Sequence, residues 1–204
     1  MKLPDPVLLD GIAARFKGGR TYVHGSDIIE YLDRCAANDL NAYLAKIEFR
    51  HPLERHGVLQ FAAEQSELEL ETASAHGSLQ QGVDLLHFVI LPTDQPISAF
   101  GAFDENALIN ETRFDLPGSA LLRHIDGASA TEHASSAMKA LSRMLLPQHE
   151  KWWFARCQLD RSLPNSFEVL ELVLKRVMAK ALVKAELRFD NVNCGELAFV
   201  GAAK

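Results

Sequence analysis

The chain has 204 residues, 48% of them hydrophobic and 24% charged, with a net charge of −6. That length admits one or two domains with a sizeable core, and the lack of any basic run weighs against nucleic acid as a partner. No apolar stretch approaches the roughly 18–20 residues that a membrane span needs, and the opening MKLPDPVLLDGIAARF lacks the apolar run of a secretory signal, so a cytoplasmic protein is expected.

In chain order, SDIIEYLDRCAAN places Ile28, Ile29, Leu32, Cys35 and Ala36 on one helical face. Ser26 is the expected N-cap, Asp27 and Glu30 suit the positive end of the helix, and Asn38 is the expected stop. LAKIEFRHPL, HGVLQFAAE and the alternating LELETAS read as strands. AHGSLQQG reads as a turn, and VDLLHFVILP as the next strand. Residues 93–118, punctuated by Pro and Gly, read as a linker with one short element. A polar turn over 124–131 leads into EHASSAMKALSRMLLP, a helix with Ala134, Ala137, Met138, Leu141, Met144 and Leu145 on one face and Pro147 as its end. WWFARCQLDRSLP is strand-like, with Trp152 and Trp153 facing opposite ways. A β-rich stretch from FEVLEL to AFVGA closes the chain, with DNVNCG as its turn.

The order of elements repeats. Residues 45–53 (AKIEFRHPL) lie over 155–163 (ARCQLDRSL), matching Ala45 with Ala155 and Leu53 with Leu163. GVLQF lies over FEVLEL, and GVDLLHFV from Gly82 lies over GELAFV from Gly195. Two halves, 1–98 and 99–204, are therefore expected, each a helix followed by antiparallel strands. A helix with one apolar face before such strands must bury that face on the sheet, which gives an α+β class.

YVHGSDIIEYL resembles the segment entering the central helix of hotdog-fold hydratases and dehydratases that act on acyl thioesters, where a Gly precedes the helix. KIEFRHPLERHGVLQF is similar to that family's next strand pair, and ALVKAELRFDNVNCGELAFVGA to its last hairpin. The resemblance covers most of the chain as two copies. It implies a double hotdog, with two long central helices each wrapped by an antiparallel β-sheet. It further implies a protein that binds an acyl chain on coenzyme A or acyl carrier protein, with dehydratase-like or thioesterase-like chemistry in fatty-acid, polyketide or related biosynthesis. The family's HxxPxxPxxPG and DxNPxH segments are absent. A catalytically inactive binding or assembly subunit of such a pathway therefore stays open beside the enzyme. No cofactor is implied, and a double hotdog is compatible with a monomer or a homodimer.

The candidate site residues follow from that reading. His24 would be the general base and the Gly25 N–H would polarise the thioester carbonyl, at the positive end of the first helix. The other reading is a Ser-capped helix beside a surface His. Glu132 and His133 open the second helix and would supply a carboxylate and an imidazole opposite; the other reading is ordinary first-turn charge. Arg50 and Arg55, around HPLERH, would meet the phosphates of coenzyme A or of a carrier's phosphopantetheine, or else belong to a solvated turn. Before the second helix stands DGASATEH, with no copy of the His-Gly pair. Cys35, Cys157 and Cys194 are far apart, so neither a disulfide framework nor a zinc site is expected. No P-loop, dinucleotide fingerprint, nucleophile elbow or metal-ligand spacing occurs.

Overall fold

The computed structural model describes residues 3–115, 118–178 and 181–202, apart from the side chain of Ile12. The class is mixed α and β, built on antiparallel sheet, with three α-helices among the described residues. The chain divides into two compact units, Met1–Phe103 and Asp104–Lys204.

In the first unit β1 (Val7–Leu8), a 3-10 turn (Gly11–Ala14) and β2 (Arg15–Lys17) precede the long helix α1 (Gly25–Asp39). Then come β3 (Tyr43–Phe49), β4 (Arg55–Ala62), a 3-10 turn (Gln65–Glu67), β5 (Ala75–Gln81), β6 (Asp84–Pro96) and β7 (Ala99–Gly101). The antiparallel sheet runs β1-β4-β6-β5-β3, while β2 and β7 form a small parallel pair of their own. The apolar stripe of α1 buries Ile28, Ile29, Leu32 and Ala36, and the helix packs on β3. Asn41, at φ 48°, turns the chain out of the helix, and the Ala42 N–H donates to the Ala36 carbonyl.

In the second unit a short helix α2 (Glu105–Glu111), β8 (Arg113–Asp115) and β9 (Ser119–Arg123) precede the long helix α3 (Ala130–Leu145). β10 (Lys151–Leu159), β11 (Val169–Met178), β12 (Leu182–Phe189) and β13 (Val192–Ala202) follow. The sheet order is β10-β13-β12-β11-β9-β8. α3 buries Ala134, Ala137, Met138 and Leu141 and packs on β9 through β13. Trp152 on β10 is buried, whereas its neighbour Trp153 is 36% exposed, as strand alternation requires.

Four expectations need correction. Helix α1 begins at Gly25 with His24 as its N-cap, and no side chain caps it. The Ser26 hydroxyl is turned to the His24 ring instead. LELETAS is no strand: residues 68–74 form an irregular connection, largely exposed up to Thr72. It carries the chain from β4, past β6, to β5, and Ser74 at its end bonds to Ile90 and to Arg50 and His51 as β5 begins. The expected turn AHGSLQQG is itself strand β5 over Ala75–Gln81. Gly82 and Gly195 are not equivalent, since Gly82 lies in the β5–β6 turn at φ 58° and Gly195 lies inside β13 at φ 140°.

The units therefore share an order of elements but thread their sheets differently. The strand after the long helix pairs with the third strand in the first unit (β3 with β5) and with the fourth in the second (β10 with β13). Two local devices recur all the same. The register of β3 shifts between Leu44 and Lys46, and that of β10 between Phe154 and Arg156, so Ala45 and Ala155 each sit at a bulge. Beside each bulged strand lies a glycine where the backbones approach closely. A Cβ on Gly77 would lie 1.9 Å from the Lys46 carbonyl oxygen, and one on Gly195 would lie 2.0 Å from that of Gln158. Gly77, not Gly82, is thus the local counterpart of Gly195.

Gly77→Ala and Gly195→Ala each force backbone apart and should cost about 1–3 kcal/mol or more. Gly82→Ala, with nothing within 4 Å of the added methyl, meets only the backbone penalty of its positive φ. Thermal unfolding of the three variants checks this, and Gly82→Ala should melt highest.

Candidate functional site

The start of α1 gathers four polar side chains into one buried cluster. His24 precedes the helix in an extended conformation, and its carbonyl accepts from the N–H groups of Asp27 (3.0 Å) and Ile28 (3.2 Å). This backbone arrangement turns the next three side chains around the helix mouth. The Ser26 Oγ lies 2.8 Å from His24 Nδ1 and fixes the orientation of the ring. The Asp27 carboxylate accepts from the Lys17 ammonium at 2.6 Å, across from the end of β2. The Phe103 ring closes the group: its centre is 5.7 Å from that of His24, edge to face, and 5.5 Å from Lys17 Nζ. Relative exposures are 4% for His24, 0% for Ser26, 0% for Asp27 and 4% for Lys17.

A buried charge requires a partner, and Lys17 and Asp27 supply one another. The carboxylate also stands in the first turn of a helix of 15 residues, where the aligned peptide dipoles favour negative charge. The Lys17 ammonium and the helix start both favour the charged form of the Asp27 carboxylate. His24 is the group of the cluster whose ordinary pKa lies near neutrality. Gly25, the first helical residue, adds a backbone N–H and no side-chain bulk at the same mouth.

The start of α3 is built differently. Ser129 is its N-cap, and its Oγ accepts from the Glu132 N–H at 3.3 Å, while Glu132 Oε2 accepts from the Ser129 N–H at 2.8 Å. This reciprocal capping box occupies Glu132 with the helix start. His133 is fully buried; its Nδ1 donates to the Ser129 carbonyl at 2.7 Å, and its Nε2 accepts from the Ile125 N–H at 2.9 Å. Those two bonds define a neutral ring with its proton on Nδ1. The ring stacks on His124 with centres 5.3 Å apart and meets the face or edge of Phe167 at 5.0 Å. Burial, first of all, pushes the His133 pKa down; the His124 charge adds to this, while the Ser129 carbonyl and Glu132 oppose it.

Arg50 and Arg55 are exposed, Arg50 just after β3 and Arg55 at the start of β4. Arg55 donates to the Asp94 carbonyl at 3.3 Å, with the Asp94 carboxylate at 3.8 Å. His24 and Gly25 thus share the α1 mouth, Glu132 and His133 share the α3 mouth, and both arginines lie on the surface of the first unit. Lys17 and Phe103 were not foreseen. Lys17 reaches Asp27 across ten positions of loop and helix, a contact that no periodicity announces. Among the described residues, no group of three His, Cys, Asp or Glu side chains is placed to hold a metal ion, and no helix is long and apolar enough to cross a membrane.

No family model matches the sequence, and no curated protein matches it. Solved structures do. The chain is similar to dehydratase and thioesterase structures. One is the bifunctional dehydratase-cyclase domain in ambruticin biosynthesis, at 12% identity and a TM-score of 0.49, over 91% of this chain and 84% of that one. Another is the dehydratase domain of RzxB from Pseudomonas fluorescens, at 13% identity and a TM-score of 0.47, over 89% and 86% of the two chains. A third is a protein proposed to be a thioesterase II, from Thermobifida fusca YX, at 13% identity and a TM-score of 0.48, over 98% and 92%.

The depressed His133 pKa has a consequence for stability. Below the ordinary imidazole value of 6.5 the unfolded chain takes up a proton that folded His133 refuses. Its contribution is complete above 6.5 and is lost as pH falls from there through the lowered folded value. Melting temperature measured against pH should therefore fall over that acid window, and His133→Leu should remove His133's share of the slope.

Proposed function

We propose that the chain acts on acyl thioesters and that the mouth of α1 is its working site. The layout we infer is a double hotdog, with α1 and α3 as the two central helices and the halves divided close to residues 98 and 99. One observation carries the functional reading: a buried imidazole, oriented by Ser26, stands at the positive end of a long helix beside a carboxylate paired with Lys17.

The local chemistry favours hydrolysis over dehydration. Dehydration needs an acid to protonate the departing hydroxyl, and the Lys17 ion pair disfavours a protonated Asp27 in that role. Hydrolysis needs a base and a polarised carbonyl, which His24 and the first-turn N–H groups at Gly25 supply. In that step His24 takes a proton from water as its oxygen attacks the thioester carbonyl. The tetrahedral oxyanion sits at the helix mouth. The C–S bond then breaks, and the leaving thiolate takes the proton back from His24. Coenzyme A or acyl carrier protein is the carrier we infer, and the exposed Arg50 and Arg55 suit its phosphates. Glu132 and His133 are left out of the chemistry, because each is engaged with the start of its own helix.

A second reading is a binding subunit without catalysis, and the observation favouring it is that His24 is only 4% exposed. Release of thiol from a panel of acyl-CoA and acyl-carrier thioesters separates the two. Turnover should appear in the wild type and fall by roughly a hundredfold or more in His24→Gln with its fold intact. Equal turnover in a folded His24→Gln variant would remove His24 from the site. Binding of the thioesters with no turnover would establish the second reading.

A further inference from the structure

We propose that the small parallel pair β2–β7, together with Phe103, is a lid over His24, latched shut by the Lys17–Asp27 ion pair. The inference rests on the α1 mouth being the working site. His24, Ser26, Asp27 and Lys17 are all at least 96% buried, so no reactant reaches the imidazole unless a covering element moves. The Phe103 ring, two residues beyond the end of β7, covers the imidazole edge to face.

β2 and β7 are built to move as a unit. Among the described residues they pair only with each other, through three residue pairs, Arg15 with Ala99, Phe16 with Phe100 and Lys17 with Gly101. A two-stranded ribbon this short has little stability of its own. β7 is its outer strand, with Phe100 73% exposed, and β2 is its inner strand, with Phe16 and Lys17 buried. Past Lys17 the chain turns at Gly18, with φ 60°, and then Gly19, where an added Cβ would meet nothing within 4 Å. The Gly18 N–H reaches the Gly101 carbonyl at a long 3.3 Å. The other end is anchored: Ala13 is fully buried and Ile97 is 7% exposed. An anchored end, a glycine turn at the far end and one ion pair between them make a hinged flap. Lys17 is its latch residue, acting through Asp27 and not on the substrate.

Opening is read without reference to turnover, by the rate at which diethyl pyrocarbonate modifies His24, followed by mass spectrometry of the intact, full-length protein. In the wild type, modification of His24 should be slow yet insensitive to low urea, because the lid opens locally. In Lys17→Met/Asp27→Asn, which removes the latch without leaving a lone buried charge, it should run roughly tenfold faster or more at a melting temperature close to that of the wild type. If His24 reacts only as fast as the whole protein unfolds, rising with urea in step with global unfolding, there is no lid. A folded double variant with unchanged modification would also overturn the proposal. Should the double variant fail to fold, the urea dependence of the wild type still decides. Local opening with no thioester turnover would leave the lid standing and remove the hydrolase reading, so the two fail separately.

Discussion

Every feature of this chain that bears on function traces to one constraint, the cost of burying the start of a helix. The first N–H groups of a helix have no partner within it. A long helix laid on a sheet carries that deficit into the interior, where water does not offset it. α3 meets the constraint with local chemistry. Ser129 and Glu132 cap one another, and His133 ties the Ser129 carbonyl to the Ile125 N–H, so each donor and acceptor there is matched by a neighbour in sequence. α1 meets it with long-range chemistry. Its N-cap side chain makes no capping bond to the helix backbone, its first-turn carboxylate is balanced by a lysine from β2, and its serine is spent on the N-cap imidazole. A matched start is a structural joint. A start that keeps an oriented imidazole beside a lysine-paired carboxylate can do chemistry. That difference is why we propose the α1 mouth, and not the α3 mouth, as the working one.

The sheets repeat the theme of shared problem and separate solution. Both strands that follow the long helices carry a bulge at an alanine, and both lie against a glycine that permits close approach. Yet the path through the sheet differs, because residues 68–74 carry the first unit's chain across β6, whereas β11 and β12 are neighbours. The packing of helix on sheet diverges with the threading: α1 packs chiefly on β3, whereas α3 packs on β9 through β13. Buried polar pairing also recurs with new partners: Lys139 of α3 bonds Glu105 of α2, as Lys17 bonds Asp27.

The sequence made the long helices legible because their apolar faces repeat at helical spacing, and the stop at Pro147 follows from its missing N–H. The Ala45 and Ala155 correspondence was also legible, because AKIEFRHPL and ARCQLDRSL share their first and last residues and both follow a long helix. Strand β5 was misread as a turn because AHGSLQQ is small and polar. Gly77 stands there for a tertiary reason, the 1.9 Å approach to Lys46, which no local pattern encodes. LELETAS was misread for the opposite reason: it alternates like a strand but serves as the connection from β4 to β5. At the site, His24 and Gly25 stood out as a pair before a helix. Ser26 was assigned to capping because that is the common role of serine there, whereas the ring beside it competes for the same hydroxyl. Lys17 was invisible, because a lysine in RFKGG reads as solvated until the fold places a carboxylate 2.6 Å away.

The central claim is that the mouth of α1 receives the thioester and the mouth of α3 does not. Histidine ring signals, followed by NMR during titration with a non-hydrolysable acyl-CoA analogue, test it directly. The account predicts that the His24 ring shifts on saturation while His133 keeps its chemical shifts and its Nδ1-protonated form. A titration in which His133 responds and His24 stays unmoved would contradict it.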